Sequence, residues 1–81
     1  MKTPEYAVVI EKAGESFGAY VPDLPGCAVV GRSRREVRAG IRKAIAMYVA
    51  DLIDDGEPVP PPTASVMWVA RPAGTRRRAK R

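Results

Sequence analysis

The stretch Ser33-Arg-Arg-Glu36, followed by apolar residues at Val37, Ile41, Ala44, Ile45, Tyr48 and Leu52, narrows the possible folds more than any other feature of this chain. Serine three residues ahead of glutamate is a capping box. The Ser33 hydroxyl can accept from the amide of Glu36, and the Glu36 carboxylate can reach back to the amide of Ser33. The apolar spacing is helical and draws one stripe along the cylinder. The helix is expected to run from Arg34 to about Asp54, roughly 30 Å at 1.5 Å per residue. Gly56 is its natural stop. Gly40 lies inside it at about 1 kcal/mol relative to alanine, and close approach to a neighbouring sheet is the expected compensation. One long helix cannot bury its own stripe, so the rest of the chain must supply the opposite layer.

That layer reads as β-structure. Tyr6 to Ile10 is a β-rich run, apolar on both faces. Lys12 to Ser16 is a turn around Gly14. Phe17 to Val21 is a second strand, with Phe17, Ala19 and Val21 on one face, and the short spacing makes the pair an antiparallel hairpin. Pro22-Asp-Leu-Pro-Gly26 interrupts the sheet, because proline cannot donate a ladder hydrogen bond. Cys27 to Gly31 is a third strand. After the helix, Pro58-Val-Pro-Pro-Pro62 is a stiff spacer and Ala64 to Ala70 a last strand. The expected fold is α+β, in the order β-β-β-α-β, with an antiparallel sheet and one helix on one face. Residues 1–70 form the domain, and residues 71–81 a basic tail expected to be disordered.

With 81 residues the core is thin, and the sheet face away from the helix has no cover within the chain. A homodimer or a dimer of dimers is the expected remedy. One cysteine excludes an internal disulfide, and no apolar run approaches the ~18 residues of a membrane span. A cytoplasmic setting is expected. The net charge of +5 is carried by the tail. Arg71, Arg76, Arg77, Arg78, Lys80 and Arg81 have no acidic companion, which leaves eight basic against nine acidic residues in 1–70.

The chain contains no histidine, which removes the commonest general base and any Ser-His triad. No zinc site or phosphate-binding glycine loop is present in the sequence either, and no cofactor or metal is expected. Cys27 reads as a small buried hydrophobe. Asp23 reads as a turn residue bonding its own backbone rather than a catalytic carboxylate, since metal-assisted phosphodiester cleavage needs several converging carboxylates. Asp51, Asp54 and Asp55 read as a solvated helix end, able to offer acidic contacts to a basic partner. The Pro-x-x-Pro match reads as a connector. Tyr20 and Trp68 read as core or interface aromatics, with base stacking as the alternative. Arg34, Arg35 and Arg38 stand in the first turns of the helix, where the macrodipole disfavours cations. They are candidates for nucleic-acid or partner contact, as are Arg76, Arg77, Arg78, Lys80 and Arg81. Solubility is the competing explanation for both groups.

The segments Tyr6-Ala-Val-Val-Ile-Glu-Lys12, Tyr20-Val-Pro-Asp-Leu-Pro-Gly-Cys27 and Asp55-Gly-Glu-Pro58, with the capped helix between, resemble the HicB family of antitoxins. The resemblance covers about residues 5 to 69, with Tyr20, Pro22, Asp23, Leu24, Pro25, Gly26, Cys27, Gly56 and Pro58 as its motif. It implies a partial ribonuclease H fold without a catalytic centre. It also implies a protein that binds a small basic HicA-type ribonuclease toxin and blocks its active site, with no enzymatic activity of its own. Two features differ from the pattern. Residues 71–81 are expected to be too few for the C-terminal DNA-binding domain common in such antitoxins. The helix surface is arginine-rich where theirs is usually rich in glutamate. The expected function is therefore toxin occlusion by an antitoxin or a solitary relative, and the alternative is a nucleic-acid-binding homo-oligomer.

Overall fold

The computed structural model describes residues 4–74. Three strands, β1 (Val9–Ala13), β2 (Ser16–Tyr20) and β3 (Ala28–Gly31), are followed by one helix, α1 (Arg34–Asp54). The sheet is antiparallel in the order β1-β2-β3, so β1 and β3 are both edges. The fold is α+β, with the helix laid across one sheet face.

The register explains the layers. Ile10 pairs with Ala19, and Ala19 with Val29. Side chains two apart share a face, so these three point toward the helix with Val21 and Cys27. Ala19, Val21, Leu24, Cys27, Val37 and Ile41 form the buried core. Tyr6, Val8, Phe17, Ala44, Ile45 and Tyr48 pack around it, half-buried. Four large aliphatic side chains, Val21, Leu24, Val37 and Ile41, at about 1.5–3 kcal/mol each, with the small Ala19 and Cys27, make a modest core. The opposite face carries Val9, Tyr20, Ala28 and Val30, and Val30 is 84% exposed.

The hairpin pairs further toward its turn than the sequence suggests. Ala13 pairs with Ser16 across a two-residue loop in which Gly14 has φ 62°, a backbone that glycine adopts without strain. β1 thus begins at Val9 rather than Tyr6. Extending the register would set Ala7 opposite Pro22, which has no amide to donate.

Both helix ends follow local chemistry. The Ser33 hydroxyl accepts from the Glu36 amide at 3.0 Å. The Glu36 carboxylate accepts from the amide of Arg32, one residue earlier than a standard capping box would have it. Gly31 makes this possible, since a Cβ there would stand 2.8 Å from Glu36 Oε1. At the other end Gly56 has φ 70° and donates to Ile53, while Glu57 donates to Leu52 at 2.9 Å. That is a Schellman motif, and Pro58 follows it directly. Gly56 and Pro58 are therefore the residues that stop α1.

The last expected strand is absent among the described residues. Ala64–Ala70 has no strand partner among the described residues and is not part of the three-stranded sheet. A strand exists only with a neighbour to bond, and its apolar pattern alone cannot supply one. The expected reason for Gly40 also fails. A Cβ at residue 40 would meet Val29 Cγ2 at 3.6 Å, an ordinary contact.

Two substitutions test this account by urea denaturation. Gly40→Ala is expected to stabilise the protein by up to about 1 kcal/mol, since the helix gains propensity and no atom must move. Ser33→Ala is expected to destabilise it by about 1 kcal/mol through loss of the cap. A stability loss in Gly40→Ala would mean that the helix sits closer to β3 than described.

Candidate functional site

The motif loop between β2 and β3 is two consecutive turns. Leu24 donates to the Val21 carbonyl at 3.1 Å, and Cys27 donates to the Leu24 carbonyl at 3.0 Å. Pro22 and Pro25 each occupy the second position of a turn, where their fixed φ is already correct. Gly26 follows with φ 83°, the value a type II turn requires at its third position. The Val21 amide reaches the Cys27 carbonyl at 3.1 Å and closes the loop. Leu24 is pushed to the centre and fully buried.

Two longer connections fasten this loop to the rest of the molecule. The Tyr48 hydroxyl of α1 donates to the Pro25 carbonyl at 2.9 Å. Asp23 reaches a segment 40 positions away: Oδ2 accepts from the amides of Thr63 and Ala64, each at 2.9 Å, and Oδ1 accepts from the Thr63 hydroxyl at 2.7 Å. The side chain of Asp23 thus serves a distant segment rather than its own backbone. It is a latch for the chain after the helix. The Tyr6 hydroxyl donates to the Pro60 carbonyl and holds the same segment one turn earlier.

Beside the motif loop lies a shallow hollow of about 260 Å³, lined by Gly26, Cys27, Ala28, Ala44, Met47, Tyr48 and Asp51. A second, of about 170 Å³, continues from it along Tyr48, Asp51, Leu52 and Asp55. Met47 is 67% exposed. No basic side chain lines either hollow. The surface is apolar at its centre and acidic at its rim, and Asp54 and Glu57 stand exposed nearby in sequence. Among the described residues no group of three or more acidic, cysteine or histidine side chains has the geometry to hold a metal.

The basic residues lie toward the opposite end of α1. Arg34, Arg35 and Arg38 are all exposed, and the Arg34 guanidinium stands 5.3 Å from the centre of the Phe17 ring. That cation–π contact gives Arg34 a structural role. Arg76, Arg77, Arg78, Lys80 and Arg81 lie outside the described residues. Cys27 is buried, and burial pushes its thiol up, away from the reactive thiolate. Trp68 is 92% exposed and so is not a core aromatic. Sequence reasoning passed over the Asp23 latch and Met47. The first has no local signal. The second stands just off the apolar stripe of the helix, a large hydrophobe where a solvated position would carry a polar residue.

The latch has an acid dependence of definite sign. The Ala64 amide, then the Thr63 hydroxyl and the Thr63 amide, hold the Asp23 carboxyl below its usual value. A depressed native pKa means that the latch contributes fully above the ordinary aspartate range and is lost as pH falls through the native value. In an NMR acid titration the Ala64 and Thr63 amide protons are expected to move together, with a midpoint below that of an ordinary aspartate. Asp23→Ala is expected to open both amides to solvent exchange at neutral pH while the amides of α1 stay protected.

A family model described as HicB_like antitoxin of bacterial toxin-antitoxin system matches residues 6–75. The chain is 27% identical over 67 residues to an uncharacterized 14.9 kDa protein of Haemophilus phage HP1, covering 83% of this chain and half of the phage protein. It is 43% identical over 47 residues to a UPF0150 protein of Helicobacter pylori, covering 58% of this chain and 65% of that one. It is 32% identical over 66 residues to the UPF0150 protein Ta0767 of Thermoplasma acidophilum, covering 80% of this chain and 96% of that one. Among solved structures it is similar to a chain of the HicA3 and HicB3 toxin-antitoxin complex, with a TM-score of 0.62 and 32% identity over 73% of this chain and 70% of that one. The double turn, the capped helix and its Schellman stop all fall inside the matched span, and the chain belongs to the HicB-like antitoxin family.

Proposed function

We propose that this chain is an antitoxin that acts by occlusion. It binds a small basic HicA-type ribonuclease and covers its active site, without chemistry of its own. The observation that carries this reading is the family match across residues 6–75, together with the likeness to a chain of a toxin–antitoxin complex. The hollow beside the motif loop supports it. Met47 and Tyr48 offer an apolar centre, and Asp51 and Asp55 offer an acidic rim to a cationic partner. Such charge complementarity steers encounter and fixes orientation, while the apolar centre supplies most of the affinity.

The placement of charge along α1 fits the same reading. Acidic groups stand at the negative end of the helix and basic groups at its positive end. The macrodipole disfavours both. The dipole therefore does not account for this arrangement, and a partner that reads the acidic end accounts for that half of it.

Calorimetric titration of the chain with a HicA-type ribonuclease, run beside an RNA-cleavage assay, tests the proposal. Binding is expected to suppress cleavage in proportion to occupancy. Asp51→Lys combined with Asp55→Lys is expected to weaken binding about tenfold or more, increasingly so at low salt. Arg35→Ser is expected to change it little. The chain alone is expected to cleave no RNA, with or without magnesium. Absence of binding, alongside a low-salt gel shift with RNA that Arg35→Ser and Arg38→Ser abolish, would overturn occlusion in favour of nucleic-acid binding.

A further inference from the structure

The segment after the latch has the composition of a strand and no ladder partner among the described residues. Val66, Met67, Trp68 and Val69 are 54%, 81%, 92% and 72% exposed. No charged residue lies between Glu57 and Arg71. Successive residues of an extended chain face opposite ways, so Val66 and Trp68 share one side and Met67 and Val69 the other. Both sides are apolar. A strand of that kind belongs between two covers.

The same chain carries a matching vacancy. β1 is an open edge whose outer backbone groups have no ladder partner. Between β1 and α1 runs a groove of about 240 Å³, lined by Val8, Ile10, Ile41 and Ile45, with Arg38 and Arg42 at its wall. On the other side of the sheet Tyr20 and Val30 are exposed, with the half-buried Val9 beside Tyr20. A strand added to β1 would set one of its sides over the groove and the other beside Val9 and Tyr20.

We propose that Ala64–Ala70 is an exchanged strand: in a homodimer the arm of each copy pairs along the β1 edge of the other, with Trp68 in the groove between β1 and α1. The Asp23 latch fixes where the arm leaves its own body. Arg38 and Arg42 flank an aromatic guest, an arrangement suited to cation–π contact. A second copy is the fitting occupant because one chain supplies both halves of the joint, and a two-fold axis satisfies both joints at once. With large side chains burying up to about 150–250 Å² each, two arms and their receiving edges remove on the order of 2,000 Å² from water, the range of a stable homodimer. A charge-steered partner gains nothing from an arm without charge. This inference does not depend on toxin occlusion, since the acidic hollow lies at the other end of α1.

Trp68 is the single tryptophan and reports directly on the joint. Light scattering on the full chain is expected to give twice the 8.8 kDa monomer mass at about 100 μM. Trp68 emission is expected to be blue-shifted there and to move to the solvent-exposed position on dilution, in step with the loss of dimer mass. Trp68→Ala is expected to weaken the dimer about thirtyfold or more. Its far-ultraviolet circular dichroism should be unchanged, which separates loss of pairing from loss of folding. A monomer at 100 μM overturns the proposal. So does a dimer whose Trp68 emission stays solvent-like at every concentration, or one whose dissociation constant is indifferent to Trp68→Ala.

Discussion

The closure of Val21 on Cys27 is the interaction on which the rest of this molecule depends. A single backbone bond at 3.1 Å joins two residues that flank two successive proline turns. It carries the β2–β3 ladder past its last regular pair and drives Leu24 into the core. In a core of six buried side chains, one placed from a loop is a large share. The loop then serves as an anchor. Pro25 receives Tyr48 from α1, and Asp23 receives Thr63 and Ala64 from the chain beyond it. A stretch that breaks the sheet locally thus ties together sheet, helix and arm.

This geometry gives physical content to the family motif. The prolines set turn dihedrals, Gly26 supplies the positive φ, Leu24 fills the centre and Asp23 latches a distant segment. None of these roles is catalytic. They build a scaffold, and the proposed binding surface is its by-product: the hollow lined by Gly26 and Cys27 on one side and by Met47, Tyr48 and Asp51 on the other. A scaffold of this kind suits a protein whose work is to cover another.

The parts legible in the sequence are those whose cause is local. The helix was readable at both ends because a serine three residues before a glutamate and a glycine after the last turn each act within a few positions. The core face of β2 was readable from alternation. The extent of β1 was not, because pairing is decided on the opposite strand, where Pro22 has nothing to donate. The Asp23 latch was illegible for a related reason: its partners are 40 and 41 positions away, and an aspartate between two prolines looks like any turn residue. Ala64–Ala70 has the composition of a strand but forms none among the described residues, because composition cannot supply the neighbour that a strand must bond. Gly40 looked like a packing glycine, yet the space beside it admits a methyl group. For the candidate site, the acidic helix end was visible as a cluster, but its apolar neighbour Met47 became meaningful only once the motif loop was seen beside it.

The central functional claim is that the acidic hollow, and not the basic half of the helix, meets the partner. Amide chemical-shift mapping of the labelled chain during titration with a HicA-type ribonuclease tests it most directly. The account predicts the largest changes at Gly26, Ala28, Met47, Tyr48, Asp51 and Asp55, with Arg34 and Arg35 nearly unmoved. Changes confined to Arg34–Arg42, with the hollow silent, would contradict it.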